Sequence, residues 1–241
     1  MSRQRVLRWA AWLALLAVAP ARAALPAPLQ AFVSGLDTYT AEFEQQVHDA
    51  RGASVARGRG TLWVQRPGRF RWDYRPLETP AAGAAGAGNA GAGNGGGKAA
   101  QDNDADIGGQ LLLADGRNLW LYERDLAQAT VRDARSADAA APMLLLSGDA
   151  AQIEGAFALA AEPDRDGLHW IEVRPRTAAA DFARAELGFR GNALDRMIIG
   201  DKLGQVTTLL IRRNQRNPRL DAGLFRFTPP PGVDVIGTVL P

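Results

Sequence analysis

The reading of the fold turns on Leu62-Trp-Val-Gln-Arg-Pro-Gly-Arg-Phe-Arg-Trp-Asp-Tyr-Arg75, where two Trp, a Phe and a Tyr sit among four Arg. Arginine interleaved with aromatics suits a groove that stacks nucleic-acid bases, and it equally suits a half-buried sheet. Strand geometry separates the two. Arg59 to Gln65 and Arg69 to Arg75 read as a hairpin around Arg66-Pro67-Gly68-Arg69, with Pro and Gly at the second and third positions of a type II turn. Side chains alternate along a strand, so Phe70, Trp72 and Tyr74 point one way while Arg69, Arg71, Asp73 and Arg75 point the other. A stacking groove needs rings and cations on one surface. Here the rings face an apolar interior and the strand arginines face water.

Outward from the hairpin the same pattern recurs. Tyr39, Ala41, Phe43, Gln45 and Val47 alternate with polar residues as a half-buried strand. Further runs cover Gln110 to Ala114, Asn118 to Glu123, Gln128 to Arg132, Leu168 to Arg174, Phe182 to Arg190, Ala193 to Ile199, Val206 to Arg213 and Leu224 to Thr228. Turn signals Asp115-Gly116, Asp166-Gly167 and Gly191-Asn192 fall between several of them. Roughly ten strands result, and nothing points to βαβ crossovers, so the class is mainly antiparallel β. Two segments read as helical. Leu29, Phe32, Val33 and Leu36 fall at i, i+3, i+4 and i+7, one apolar stripe. The dense patch Pro142 to Gly148, followed by Asp149 as a helix cap, places one or two short helices over 142 to 154. The stretch from Pro80 to Gly109 has the Ala/Gly composition of a flexible, coreless insertion.

The N-terminus carries Arg3, Arg5 and Arg8, an unbroken apolar run from Trp9 to Ala19, and Ala21-Arg-Ala23. That is the plan of a secretory signal, too short to span a bilayer and cut after Ala23. Residues 24 to 241 are then the mature domain, and loss of four arginines with the signal takes the formal net charge from +2 to −2. A nucleic-acid binder should show a basic excess on its mature domain, which argues against that class. With no Cys, the protein has no lipid-anchoring cysteine and no disulfides; it reads as a monomer of a bacterial periplasm with no stable membrane insertion.

Catalytic and metal-binding motifs fail on context. Gly86-Ala-Gly-Asn-Ala-Gly91 matches the dinucleotide fingerprint but lies in Ala/Gly repeats, with neither strand before it nor helix after it. Asp102-Asn-Asp-Ala-Asp106 opens like a calcium loop, yet Ile107 and Leu113 stand where that loop needs Gly and Glu. His48 and His169 each sit inside a strand pattern, and no nucleophile motif accompanies them. No cofactor, metal or catalytic residue is assigned. A hydrolase built on carboxylates that meet only in space is the weakest alternative.

The segment L-W-V-Q-R-P-G-R-F-R-W at 62 to 72 resembles the LWVKRP-x-x-F-x-W signature of the LolA family, periplasmic carriers of outer-membrane lipoproteins. The resemblance continues in order through Tyr39-x-x-x-Phe43-x-Gln45, Asp115-Gly116 with Leu119-Trp120-x-Tyr122, Gln128-Ala129-Thr130, the Pro142 patch, and Phe225-x-Phe227-Thr-Pro-Pro-x-Gly232-Val233. It implies an incomplete, strongly curved antiparallel β-barrel whose short helices form a lid over an apolar cavity. It also implies three partners: acylated lipoproteins, an inner-membrane ABC transporter of the LolCDE type, and an outer-membrane receptor of the LolB type. Arg66 matches the family arginine that ties lid to barrel, and Phe70 and Trp72 match aromatics at the cavity and its opening. Tyr74 shares their face. Leu29, Phe32, Val33 and Leu36 belong to the lid helix, Met143, Leu144, Leu145 and Leu146 to the second lid segment, and Phe43 and Val47 to the wall. A lipid-binding or lipid-sensing module of the same fold, without a shuttle role, is the main alternative. The Ala/Gly insertion departs from the family pattern.

Overall fold

A computed structural model of the protein describes residues 25–77, 108–134, 141–178, 180 and 182–241. The export signal read over 1–23 and nearly all of the insertion read over 80–109 lie outside the described residues. The decisive hairpin forms: β2 (Ser54–Gln65) and β3 (Arg69–Pro76) pair antiparallel, with Gln65 opposite Arg69. At its connection Gly68 takes the positive φ that the third position of a type II turn requires. Arg66, Pro67 and Gly68 make a three-residue loop with a cis Arg66–Pro67 bond and Gly68 at φ +71°. Outside contacts set this loop, since Arg66 N donates to Asp37 O (2.8 Å) and Gly68 N to Ser147 O (3.2 Å).

Among the described residues, twelve strands join one sheet in the order β12-β6-β5-β4-β3-β2-β1-β11-β10-β9-β8-β7. Besides the hairpin these are β1 (Thr38–His48), β4 (Gln110–Asp115), β5 (Asn118–Glu123), β6 (Gln128–Asp133) and β7 (Phe157–Arg165). The remainder are β8 (Leu168–Pro175), β9 (Phe182–Arg190), β10 (Ala193–Asp201), β11 (Val206–Arg216) and β12 (Asp234–Gly237). β1 lies between β2 and β11 and shows the expected alternation, with Tyr39, Ala41, Phe43 and Val47 buried. The sheet is open, because β7 and β12 are its two ends.

One expected strand is absent and two unread ones are present. Leu224 to Thr228 is not a strand; Asp221 caps a short 3-10 turn over Ala222–Phe225 by accepting from Gly223 N, and this pulls the segment across the sheet. β7 went unread because only Phe157 in it is buried, the rest being a half-exposed or exposed edge without an apolar alternation. β12 is exposed at all four positions and pairs parallel with β6, an exception to the antiparallel pattern.

Burial requires the sheet to curl. Eleven gaps of about 4.8 Å would spread a flat sheet over roughly 50 Å, yet Leu119 of β5 and Ile171 of β8 belong to one continuous core. That core also takes in three short helices, α1 (Ala27–Val33), α2 (Ala141–Ser147) and α3 (Ala150–Ala156), which lie over the concave side. Two glycines in β2 make room for rings against the strand. A Cβ on Gly58 would meet the Tyr74 ring at 2.1 Å, and one on Gly60 would meet the Phe43 ring at 2.4 Å. Phe43 in turn stacks on Trp72 with centroids 3.9 Å apart.

The other side of β4 to β6 is covered as well. Leu111, Leu113, Trp120, Ala129 and Val131 form a second core beneath Phe227 and Val233 of the C-terminal segment. Asn118, buried, holds that segment by exchanging two hydrogen bonds with the backbone of Leu240. The outer face of β3 is accordingly drier than its alternation suggests. Asp73 pairs with Arg71 (3.0 Å) and Arg124 (2.8 Å), all three half-buried, and Arg71 stands 5.8 Å over Trp63.

Candidate functional site

Helices that cover a sheet concavity must be held there, and α1 and α2, at seven residues each, are too short to persist alone. Packing supplies part of the hold. Leu29, Phe32 and Val33 of α1 are buried, as is Leu36 just beyond it, and Phe32 meets Tyr39 edge-on at 5.3 Å and Phe189 at 5.7 Å. From α2, Met143, Leu145 and Leu146 are buried and Leu144 half-buried against the same core. α3 begins with a reciprocal capping box in which Asp149 accepts from Gln152 N (2.8 Å) while Gln152 Oε1 accepts from Asp149 N (2.9 Å).

Arg66 supplies the rest. Its Nε donates to Leu146 O at 3.0 Å and its Nη1 to Val33 O at 3.1 Å, so one guanidinium joins the C-terminal ends of α2 and α1 to the β2–β3 hairpin. Helix carbonyls there have no partner within the helix and carry the negative end of the dipole, which is why a cation fits. Burial lowers the guanidinium's proton affinity, as does nearby Arg216, while Asp149 and Asp37 raise it. Arginine stays ionised regardless. Its Nη2 is buried without an acceptor.

The remaining sequence-derived residues mostly converge here. Phe43 and Phe70 are buried in the main core, with Trp72 and Tyr74 half-buried against it. Burial raises the Tyr74 phenol pKa, and its hydroxyl donates to Arg57 O at 3.3 Å. Val47 is buried but stands outside the cluster that touches the helices. Side chains fill the space beneath the helices: Phe32, Tyr39, Phe43, Leu62, Leu145, Leu146, Phe157 and Phe189 are all fully buried. A cleft of about 630 Å³ is bordered by Phe43, Gly60, Thr61 and Trp63 together with the charged residues Glu42, Glu44, Arg59, Asp73, Arg75, Arg212 and Arg213.

Sequence reasoning missed Arg216 and Asn217. Arg216 donates to Phe32 O and, at 3.0 Å, to Ser34 O; Asn217 donates to Gly35 O (2.8 Å) and accepts from Asp37 N (2.9 Å). Arg216 lies 184 residues from Phe32 and Asn217 182 from Gly35, and the pairing of Tyr39 with Arg216 across β1 and β11 brings them there. Among the described residues no His, Cys, Asp and Glu cluster could hold a metal ion, and no helix is long and apolar enough to cross a membrane. His169 lies 3.0 Å from Asp164 on an exposed edge.

A curled open sheet with short helices pinned over its greasy concavity defines a class of half-barrel with an apolar interior. The family model described as outer membrane lipoprotein carrier protein LolA matches residues 34–79 and 108–228, and the chain belongs to this family. The match omits residues 80–107, nearly all of the Ala/Gly insertion. The outer-membrane lipoprotein carrier protein of Bordetella pertussis is 35% identical over 225 residues, covering 92% of this chain and 91% of that one. That of Bordetella avium is 32% identical over 240 residues (98% and 99%), and that of Methylobacillus flagellatus 33% over 209 (87% and 87%).

Proposed function

We propose that the protein is a periplasmic carrier that takes acylated lipoproteins from an inner-membrane ABC transporter of the LolCDE type and hands them to an outer-membrane receptor of the LolB type. Membership of the LolA family supports this reading, and the observation that carries it is the Arg66 bridge between two helices and a hairpin over an apolar interior. Arg66 acts as the latch. The lid and wall residues Leu29, Phe32, Val33, Leu36, Phe43, Phe70, Trp72, Tyr74 and Met143 to Leu146 meet the acyl chains once the helices lift, with Val47 at the margin.

Magnitudes say which step is difficult. Burying an acyl chain is favourable by ~0.8 kcal/mol per methylene, so one of about fifteen methylenes gains on the order of 12 kcal/mol. Two hydrogen bonds from a charged donor contribute about 3–6 kcal/mol net. Cargo can therefore outweigh the latch, whereas return of the chain to water is prohibitive. Loading draws its energy from the transporter, and unloading needs a receptor that binds the lipid better; no reaction at the carrier is required.

Mixing the purified protein with a triacylated lipoprotein released from inner membranes should give a soluble equimolar complex. Failure to form one sinks the proposal. Depletion should strand lipoproteins in the inner membrane; a complex that forms while sorting continues normally would mark a lipid-binding or sensing module instead.

A further inference from the structure

The lid is fastened unevenly. α2 is held to the hairpin by Arg66 Nε on Leu146 O and by Gly68 N on Ser147 O. α1 is held at four successive carbonyls: Phe32 and Ser34 by Arg216, Val33 by Arg66, and Gly35 by Asn217. The Arg216 guanidinium also stands 5.6 Å over the Phe32 ring. These groups stand at or just beyond the ends of β2 and β11, the strands on either side of β1, so the end of α1 is gripped from both. Cations at a helix C-terminus satisfy its free carbonyls and oppose its dipole.

We infer that Arg216 is a second positioning residue of the lid, one that pins α1 to β11 so that α2 is the part that swings when the Arg66 latch opens. Arg66 touches both helices, so its release removes one of the two hydrogen bonds that hold α2 to the hairpin but only one of the four carbonyls held at the end of α1. The two guanidiniums also oppose each other electrostatically, as the effect of Arg216 on Arg66 indicates. They share the end of one helix because its carbonyls lie between them. Once α2 lifts, Arg216 keeps α1 as a fixed wall against which an acyl chain can pack. The last point rests on the carrier reading; the pinning of α1 does not.

Backbone amide exchange on the full-length mature protein without cargo tests the pinning directly. Arg216→Leu should speed exchange across residues 27–36 by about tenfold, the factor for roughly one net charge-assisted hydrogen bond, and leave 141–147 unchanged. Arg66→Leu should speed 141–147 and affect 27–36 less. Arg216→Met keeps an apolar stem over Phe32 without donors, and should behave like Arg216→Leu; Arg216→Lys, with one mobile ammonium, should restore part of the protection. If Arg216→Met matches the unaltered protein, or if Arg216→Leu speeds both helices equally, the assignment is overturned. Should Arg216→Leu fail to fold, Arg216→Lys and Arg216→Met still decide it. Binding of a triacylated lipoprotein, measured separately, reports on the carrier reading, so the two can fail independently.

Discussion

Tyr39 is fully buried beneath α1, with its hydroxyl unpartnered. A buried polar atom without a partner costs about 1–3 kcal/mol, so Tyr39→Phe should leave stability unchanged or raise it by up to ~1 kcal/mol in urea titration. Burial also raises the phenol pKa well above its usual value, with Arg216 as a smaller opposing influence. A group whose folded pKa is raised lends stability that is whole below the unfolded pKa, about 10 for Tyr, and is lost as pH rises above it. Stability should therefore fall by about 1.4 kcal/mol per pH unit from this residue alone above pH ~10, and Tyr39→Phe should remove that component. Equal alkaline slopes for the two proteins would refute it. Arg66→Leu should keep the fold, because the core beneath is apolar, and should impair delivery of bound lipoprotein to the receptor; unchanged delivery removes the latch role. Arg66 was legible through the resemblance of residues 62 to 72 to the LolA signature, and its place in the turn, outside the alternation of β3, is consistent with it. Arg216 was not, since its contacts depend on strand pairing across 184 residues.

Elements with one buried face announced themselves, and edges did not. β1, β5 and β9 carry enough buried apolar residues for alternation or an apolar run to show, and β3 shows through its ring alternation, Phe70 buried and Trp72 and Tyr74 half-buried, whereas β7 and β12 have little to bury. At 224–228, the spacing of Phe225 and Phe227 imitates a strand while the segment serves as a cover. Asp149 was readable as a cap, and the structure adds Gln152 as its reciprocal partner three residues on. Asp149→Ala should cost about 1 kcal/mol and speed amide exchange in α3 before it alters α1. Gly60 is the sharper case. A Cβ there would lie 2.1 Å from the backbone oxygen of Asp73 as well as against Phe43, and backbone cannot move aside as a flexible side chain can. Gly60→Val should lower stability by about 1–3 kcal/mol, read as a shift in urea midpoint; a neutral result would mean that β2 and β3 can separate at no cost.

At the scale of the molecule the sheet has two covered faces with different tasks. The concave face holds the helices and the large core, and the outer face of β4 to β6 is sealed by the C-terminal segment. Phe227 closes that seal, with its ring 5.2 Å from Trp120 and 5.4 Å from Tyr122. Its half-buried ring should be worth about 2–3 kcal/mol on replacement by Ala, below the 3–5 of a fully buried one. If the faces are independent, Phe227→Ala destabilises the protein without changing exchange in α1 or α2, and Arg66→Leu speeds exchange in the helices without changing it in β4 to β6. The double variant should then match the sum of the singles within about 0.5 kcal/mol. Coupling well beyond that would mean that lifting the lid strains the sheet through to its outer surface. The C-terminal segment would then belong to the opening motion and not merely to the fold.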